Sequence, residues 1–178
     1  VTVDVKTACE AIESYGEAVL KPLYSTKARG MCLVSAGDGA KHVKKAVEKF
    51  QADNPVMYIQ QKRDLSGRDF GMVFLGGVYL GSYARVTDSD SWNTTIHHGG
   101  NYMAFGASPE RVDLGQRAQA PFGLDFTTVD VAITDDGPIV FEVSAFGGFR
   151  GAKEGIGIDA ASLYTDYVLG KLEGNSDT

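Results

Sequence analysis

Two cysteines and three histidines in 178 residues leave little from which to build a disulfide framework or a histidine-rich metal centre. Cys9 and Cys32 form neither a C-x-x-C pair nor a zinc-ligand spacing, which excludes a secreted disulfide scaffold. With no charged-then-apolar leader at the start, the expected compartment is a reducing cytosol, so a cytoplasmic location. Long hydrophobic runs are missing too. Gly, Asp, Lys or Arg interrupts every apolar stretch well short of the roughly 18 residues a membrane helix needs, so a soluble chain with no membrane partner is expected. Positive charge is in deficit, with 17 Lys and Arg against 23 Asp and Glu and a net charge of -6. That balance excludes general attraction to nucleic acid, and a phosphate ligand would need a local cluster of cations. Neither a Walker A loop, nor G-x-G-x-x-G, nor a G-x-S-x-G elbow is present.

What is present is the composition of a globular domain, 43% hydrophobic and 22% charged, long enough to bury a core without staples. Thr7 and Glu10 have capping-box spacing ahead of Ala8, Ala11, Ile12 and Tyr15, which predicts a helix over 8–15. Asp38 followed by Val43, Val47 and Phe50 predicts a second over 39–52, and Asp159 followed by Leu163, Tyr167 and Leu172 a third. Segments 18–23, 30–35, 56–62, 69–75, 78–86, 126–134 and 138–144 read as strands. Gly76-Gly77 and Asp135-Asp136-Gly137 are hairpin turns, which implies antiparallel pairing and an α+β fold. The stretch 87–122 has no sustained period and is expected to be a poorly ordered functional loop.

The most informative segment is the hairpin 126–144. If Thr134 faces Pro138 across a loop with Gly137 in the left-handed position, Asp130 faces Glu142. The odd-numbered residues Val129, Val131, Ile133, Ile139, Phe141 and Val143 then form the core face, leaving Thr128, Asp130, Ala132, Val140, Glu142 and Ser144 on the other. Two carboxylates directly opposed across strands repel unless a positive charge joins them. Magnesium carried by a nucleotide's phosphates suits such a pair, the alternative being a solvated acidic face. Lys21 in an apolar strand, with Lys27 and Arg29 in the loop that follows, could fold over phosphates, the alternative being an edge lysine and an ordinary turn. Asp69 and Arg85 read first as surface charges, and adjacent His97 and His98 rarely converge on one ion.

In order along the chain these pieces resemble the ATP-grasp carboxylate-amine ligases, most closely the RimK-like branch. The residues that carry the resemblance are Val19-Leu20-Lys21-Pro22, Tyr58-Ile59-Gln60-Gln61, Gly67-Arg68-Asp69-Phe70 with Arg85, the segment Trp92 to Gly100, Val129-Asp130 with Phe141-Glu142-Val143, and Gly155 to Asp159. The resemblance implies an ATP-grasp-type domain of antiparallel sheets with helices packed on one face. It divides the chain into a small lobe over 1–53, a larger lobe over 54–172 holding the adenine hinge and the magnesium hairpin, and a frayed tail over 173–178.

It also implies an ATP-dependent ligase that joins an amino acid such as glutamate to a small-molecule or peptide carboxylate through an acyl phosphate. ATP and magnesium, with manganese as a substitute, are the implied cofactors. Asp130, Glu142 and Ser144 would hold the metal. Lys21 and Arg85 would neutralise phosphate charge, and Lys27, Arg29, Gln60, Gln61 and Asp69 would complete the nucleotide contacts. Several site positions depart from the pattern. Ser144 stands for asparagine, Gln61 for an acid, Gly71 for arginine, Thr95 for asparagine, and the loop from Ser25 to Gly30 has lost its glycines except the last. The family's preceding domain is absent and the chain opens at Val1, so a fragment or a partner chain, including a second copy, is expected to complete it. Those departures motivate an alternative, a grasp module that binds nucleotide or a partner without chemistry.

Overall fold

The computed structural model describes residues 1–25, 28–65, 68–86, 101–145 and 147–174. The chain forms two compact units, Val1–Arg63 and Asp64–Thr178, and each is organised by an antiparallel sheet.

In the first unit, α1 (Val5–Tyr15) starts a turn before the predicted position. The Asp4 carboxylate caps it, accepting from the Thr7 amide at 2.7 Å and the Thr7 hydroxyl at 2.8 Å, so Thr7 serves the cap as a donor. Asp38 does not cap the second helix. It ends a 3-10 turn, Ala36–Asp38, and Gly39 at φ +87° leads into α2 (Ala40–Asp53). The sheet has β1 (Glu17–Pro22) between β2 (Cys32–Ser35) and β3 (Met57–Gln61). The strand β3, grouped from sequence with the larger lobe, pairs with β1 from Ala18↔Gln61 to Pro22↔Met57. The reason is its fully buried Met57, which closes a core with Ala8, Ile12, Leu20 and Val47. Alternation puts Ala18 and Leu20 against the helices and Lys21 on the opposite face.

The second unit orders its strands β6-β5-β4-β7-β8. Strands β4 (Arg68–Leu75) and β5 (Val78–Val86) meet at Gly76-Gly77, with φ of +56° and +77° and Leu75 facing Val78, the two-residue turn the dipeptide predicts. This turn is roofed by the last helix. A methyl group at Gly76 would lie 2.7 Å from the Tyr167 ring, and the Tyr167 hydroxyl donates to Asp125 Oδ1 at 2.9 Å while the Gly76 amide donates to the Asp125 carbonyl. Gly76→Ala is therefore expected to cost about 1–3 kcal/mol through backbone strain at positive φ. A thermal melt unchanged from the parent would show that the turn is not so constrained.

Past the residues outside the described set, which include Lys27, Thr95, His97 and His98, the stretch expected to be irregular holds β6 (Asn101–Ala104) and α3 (Pro109–Gln119). Helix α3 turns Val112, Leu114 and Ala118 to the sheet. Its Gly115 approaches so closely that a methyl there would sit 3.1 Å from Met72 Sδ and Phe74 Cζ. The remaining elements are β7 (Phe126–Thr134), β8 (Gly137–Ser144), α4 (Phe149–Ile156) and α5 (Ala160–Gly174).

Met72, Phe74, Val129 and Val131 pack with α3, whereas Val73, Tyr83 and Phe126 pack with α4 and α5. Helices thus cover both faces of this sheet where one covered face was expected. Strand β4 explains why, since Phe70, Met72, Val73 and Phe74 are all buried and both parities need cover.

Candidate functional site

The acidic hairpin reaches the expected pairing by an unexpected route. Thr134 faces Gly137 rather than Pro138, so the turn is one residue shorter, with Gly137 at φ +105°. A bulge at Phe141 then restores the offset: Val131 faces Val140, and beyond the bulge Asp130 faces Glu142 and Thr128 faces Ser144. Val140 consequently joins Val131 and Val143 on the apolar face, not the acidic one. Strict alternation had it on the wrong side because it allowed no bulge.

Cross-strand pairing sets one row of side chains on the α4 side of the sheet, Tyr83, Gly71, Asp130 and Glu142 in turn across β5, β4, β7 and β8. The neighbouring pair is Arg85 with Asp69. Asp69, read from sequence as a surface charge, is only 2% exposed. The Arg85 Nε lies 3.0 and 3.1 Å from the two Asp69 oxygens, its Nη2 2.5 Å from Asp69 Oδ2, and the same Nη2 2.8 Å from Asp130 Oδ2. Burial alone would lower the guanidinium's pKa, but the hydrogen bonds to Asp69 and the two carboxylate charges raise it instead. Arg85 is a fixed cation locked between two acids.

The other Asp130 oxygen, Oδ1, is buried with no partner among the described residues, as is Thr128 Oγ1 beside it on β7. Burial, opposed by Arg85 and reinforced by Asp69 and Glu142, pushes the Asp130 carboxyl up to about 7. An orphaned carboxylate oxygen facing an exposed glutamate across an edge strand fits a hard divalent cation. Among the described residues no three His, Cys, Asp or Glu side chains converge as a complete metal site. A cation here would draw on Asp130, Glu142, the Ser144 hydroxyl and oxygens of its ligand.

In the first unit, Lys21 faces Tyr58 across the strands, its Nζ 5.9 Å from the ring centroid. Gln60 lies on that face too, whereas Gln61 is one residue on and belongs to the helix-covered side opposite Ala18. Arg29 sits in a turn between Ala28 at φ +57° and Gly30 at φ +72°, its carbonyl accepting from the Ser25 hydroxyl. Lys62 and Glu17, unremarked in the sequence, pair at 3.0 Å at the sheet's end.

Tyr83 is the site-face residue that sequence reasoning passed over. Its signal was available, since Tyr83 and Arg85 have the same parity on one strand.

A two-sheet α+β chain with a cross-strand carboxylate pair and a charge-locked arginine has the form of an ATP-grasp module. A family model described as RimK-like ATP-grasp domain matches residues 1–168, and the chain belongs to that family. It is 27% identical over 155 residues to a probable alpha-L-glutamate ligase of Parasynechococcus marenigrum, covering 86% of this chain and 33% of the relative. Against the tetrahydromethanopterin:alpha-L-glutamate ligase of Methanosarcina acetivorans it is 23% identical, covering 92% and 58%. In fold it matches the ATP-grasp ligase PsnB, solved with a precursor variant, Mg and ADP, at a TM-score of 0.71 and 21% identity over 94% of this chain and 51% of that one. A RimK domain ATP-grasp protein of Sphaerobacter thermophilus gives 0.66 at 22% identity, covering 94% and 58%. The chain spans between a third and three fifths of the length of these proteins. Among the described residues no helix is long and apolar enough to cross a membrane.

Proposed function

We propose that this chain is the ATP-binding portion of an ATP- and magnesium-dependent carboxylate-amine ligase, the acceptor being a small-molecule or peptide carboxylate and the amine an amino acid, with glutamate the first to test. The observation that carries the reading is that Asp130 faces Glu142 across the hairpin with its buried Oδ1 lacking a partner among the described residues, next to a cation that Asp69 holds in place.

In this reaction the γ-phosphoryl group passes to the acceptor carboxylate, leaving ADP. The amine then attacks the acyl carbon, loses a proton and expels phosphate. Bound magnesium supplies charge neutralisation on the phosphates. Asp130, Glu142 and Ser144 are its protein ligands. Lys21, Lys27, Arg29 and Arg85 offset the remaining phosphate charge and Gln60 orients the nucleoside, while Asp69 acts by holding Arg85 in place. Such catalysis is positioning and electrostatics rather than covalent chemistry by the protein. The rest of a longer chain, or a second copy, supplies what the relatives' additional length supplies in them.

Calorimetric titration with ATP, with and without magnesium or manganese, tests binding. Release of phosphate in the presence of glutamate and a mixture of acceptor carboxylates tests turnover. Magnesium-dependent binding with acceptor-dependent phosphate release is the expected result. Binding without turnover under every acceptor and amine would instead mark a nucleotide-binding module, and no binding at all would remove the nucleotide from the reading.

A further inference from the structure

Tyr83 is 3% exposed although it lies in the row of the acidic pair. Three glycines make room for it. A methyl group at Gly71 would lie 2.5 Å from Tyr83 Cζ and 2.6 Å from its hydroxyl oxygen, one at Gly151 would lie 2.2 Å from Cζ, and one at Gly155 would lie 2.6 Å from Cβ. None of these distances is compatible with a side chain. Gly151 and Gly155 are one turn apart on α4, so this helix meets the Tyr83 side chain at a distance that only glycine allows. Tyr102 closes the far edge, edge-on at 5.3 Å.

The consequence falls on Arg85, whose Cζ is 6.0 Å from the Tyr83 ring centroid. Its direct partner across the strands is Asp69, but Asp130 lies opposite Gly71, two pairs further along and on the next strand. To reach it the guanidinium must run diagonally past Gly71, whose face the Tyr83 ring covers, so the ring borders its path. We propose that Tyr83 is a positioning residue of the carboxylate site: seated by Gly71, Gly151 and Gly155, its ring holds the Arg85 guanidinium on Asp69 and Asp130 at once. The catalytic consequence rests on the ligase reading above; the structural one does not.

The test uses the full chain and reads Arg85 Nε–H by nitrogen-15 NMR, the resonance assigned by its loss in Arg85→Lys. Tyr83→Phe keeps the ring and is expected to retain a slowly exchanging Nε–H. Tyr83→Leu, and Gly151→Ala, which keeps the tyrosine but displaces its ring, are expected to speed that exchange by about tenfold or more, the mark of a locally opened pair. In turnover, Tyr83→Leu should lower kcat about tenfold with KM for ATP nearly unchanged, as for a catalytic group moved out of place, while Tyr83→Phe stays near the parent. Should Tyr83→Leu fail to fold, Gly151→Ala decides. A lower melting temperature with Arg85 exchange and kcat unaltered would reduce Tyr83 to a packing residue and overturn the proposal. Equal losses in Phe and Leu variants would also overturn it, by transferring the role to the hydroxyl. A parent protein that binds no ATP with or without magnesium, but shows the expected exchange pattern, would sink the ligase reading and leave the positioning role intact.

Discussion

Asp130→Asn is expected to abolish magnesium-dependent ATP turnover and, at the same time, to raise the melting temperature of the metal-free protein. Asparagine keeps an oxygen for the 2.8 Å contact from Arg85 but removes the buried charge whose second oxygen has no partner among the described residues. An unsatisfied buried charged oxygen costs of order 1–3 kcal/mol, so a gain of about 1–2 kcal/mol, or roughly 2–8 °C for a chain this size, is expected at neutral pH. The pH dependence fixes the sign. The folded carboxyl sits near 7, above its ordinary value of 3.8, so between about pH 4 and 7 the folded state keeps a proton that the unfolded state has released. This group therefore makes the metal-free parent lose stability as pH rises through that window, and below it contributes nothing. Asn at 130 should flatten the slope. Melts in a chelating buffer from pH 4 to 8 check it, and a variant less stable than the parent at pH 7.5 would show that the Asp130 charge is already well compensated. Glu142→Ala should lose the same turnover with almost no change in stability, because Glu142 is exposed.

Arg85→Met should destabilise the protein by about 3–5 kcal/mol, the cost of leaving a buried ion pair with one partner. Two carboxyls, Asp69 and Asp130, lose their compensating charge together. The loss should shrink at low pH, where both can protonate, and Asp69→Asn added to Arg85→Met should recover part of it, a coupling that a double-mutant cycle reads directly by denaturant titration. Arg85→Lys should fall in between, since an ammonium cannot make the two-point contact with Asp69. Additive single effects would mean that Asp69 and Arg85 are not energetically paired.

The facing of Asp130 and Glu142 was legible because a carboxylate on each strand of an apolar hairpin leaves few registers that bury the valines. Its derivation was only half right, however. The turn is shorter and the Phe141 bulge compensates, and a bulge leaves no mark in a one-dimensional pattern. Helices α3 and α4 were missed for a related reason. Both contain glycines where a helix period wants side chains, and those glycines are there because the sheet beneath presents Met72 and Phe74 to one helix and Tyr83 to the other. Asp69 and Arg85 read as surface charges on their own strands. Burial depends on which strands lie on either side, and no local pattern encodes that.

By itself, then, the sequence determined the periodic elements, the Gly76-Gly77 hairpin and the carboxylate pair, since propensity, turn chemistry and alternation act over a few neighbouring residues. The tertiary structure alone decided the rest. It set the bulge that turns Val140 inward, covered the larger sheet on both faces, buried Asp69, brought Arg85 onto two acids from different strands, and closed a glycine slot around Tyr83. Each of these depends on contacts between residues far apart in the chain, whose energies appear only once the strands are side by side.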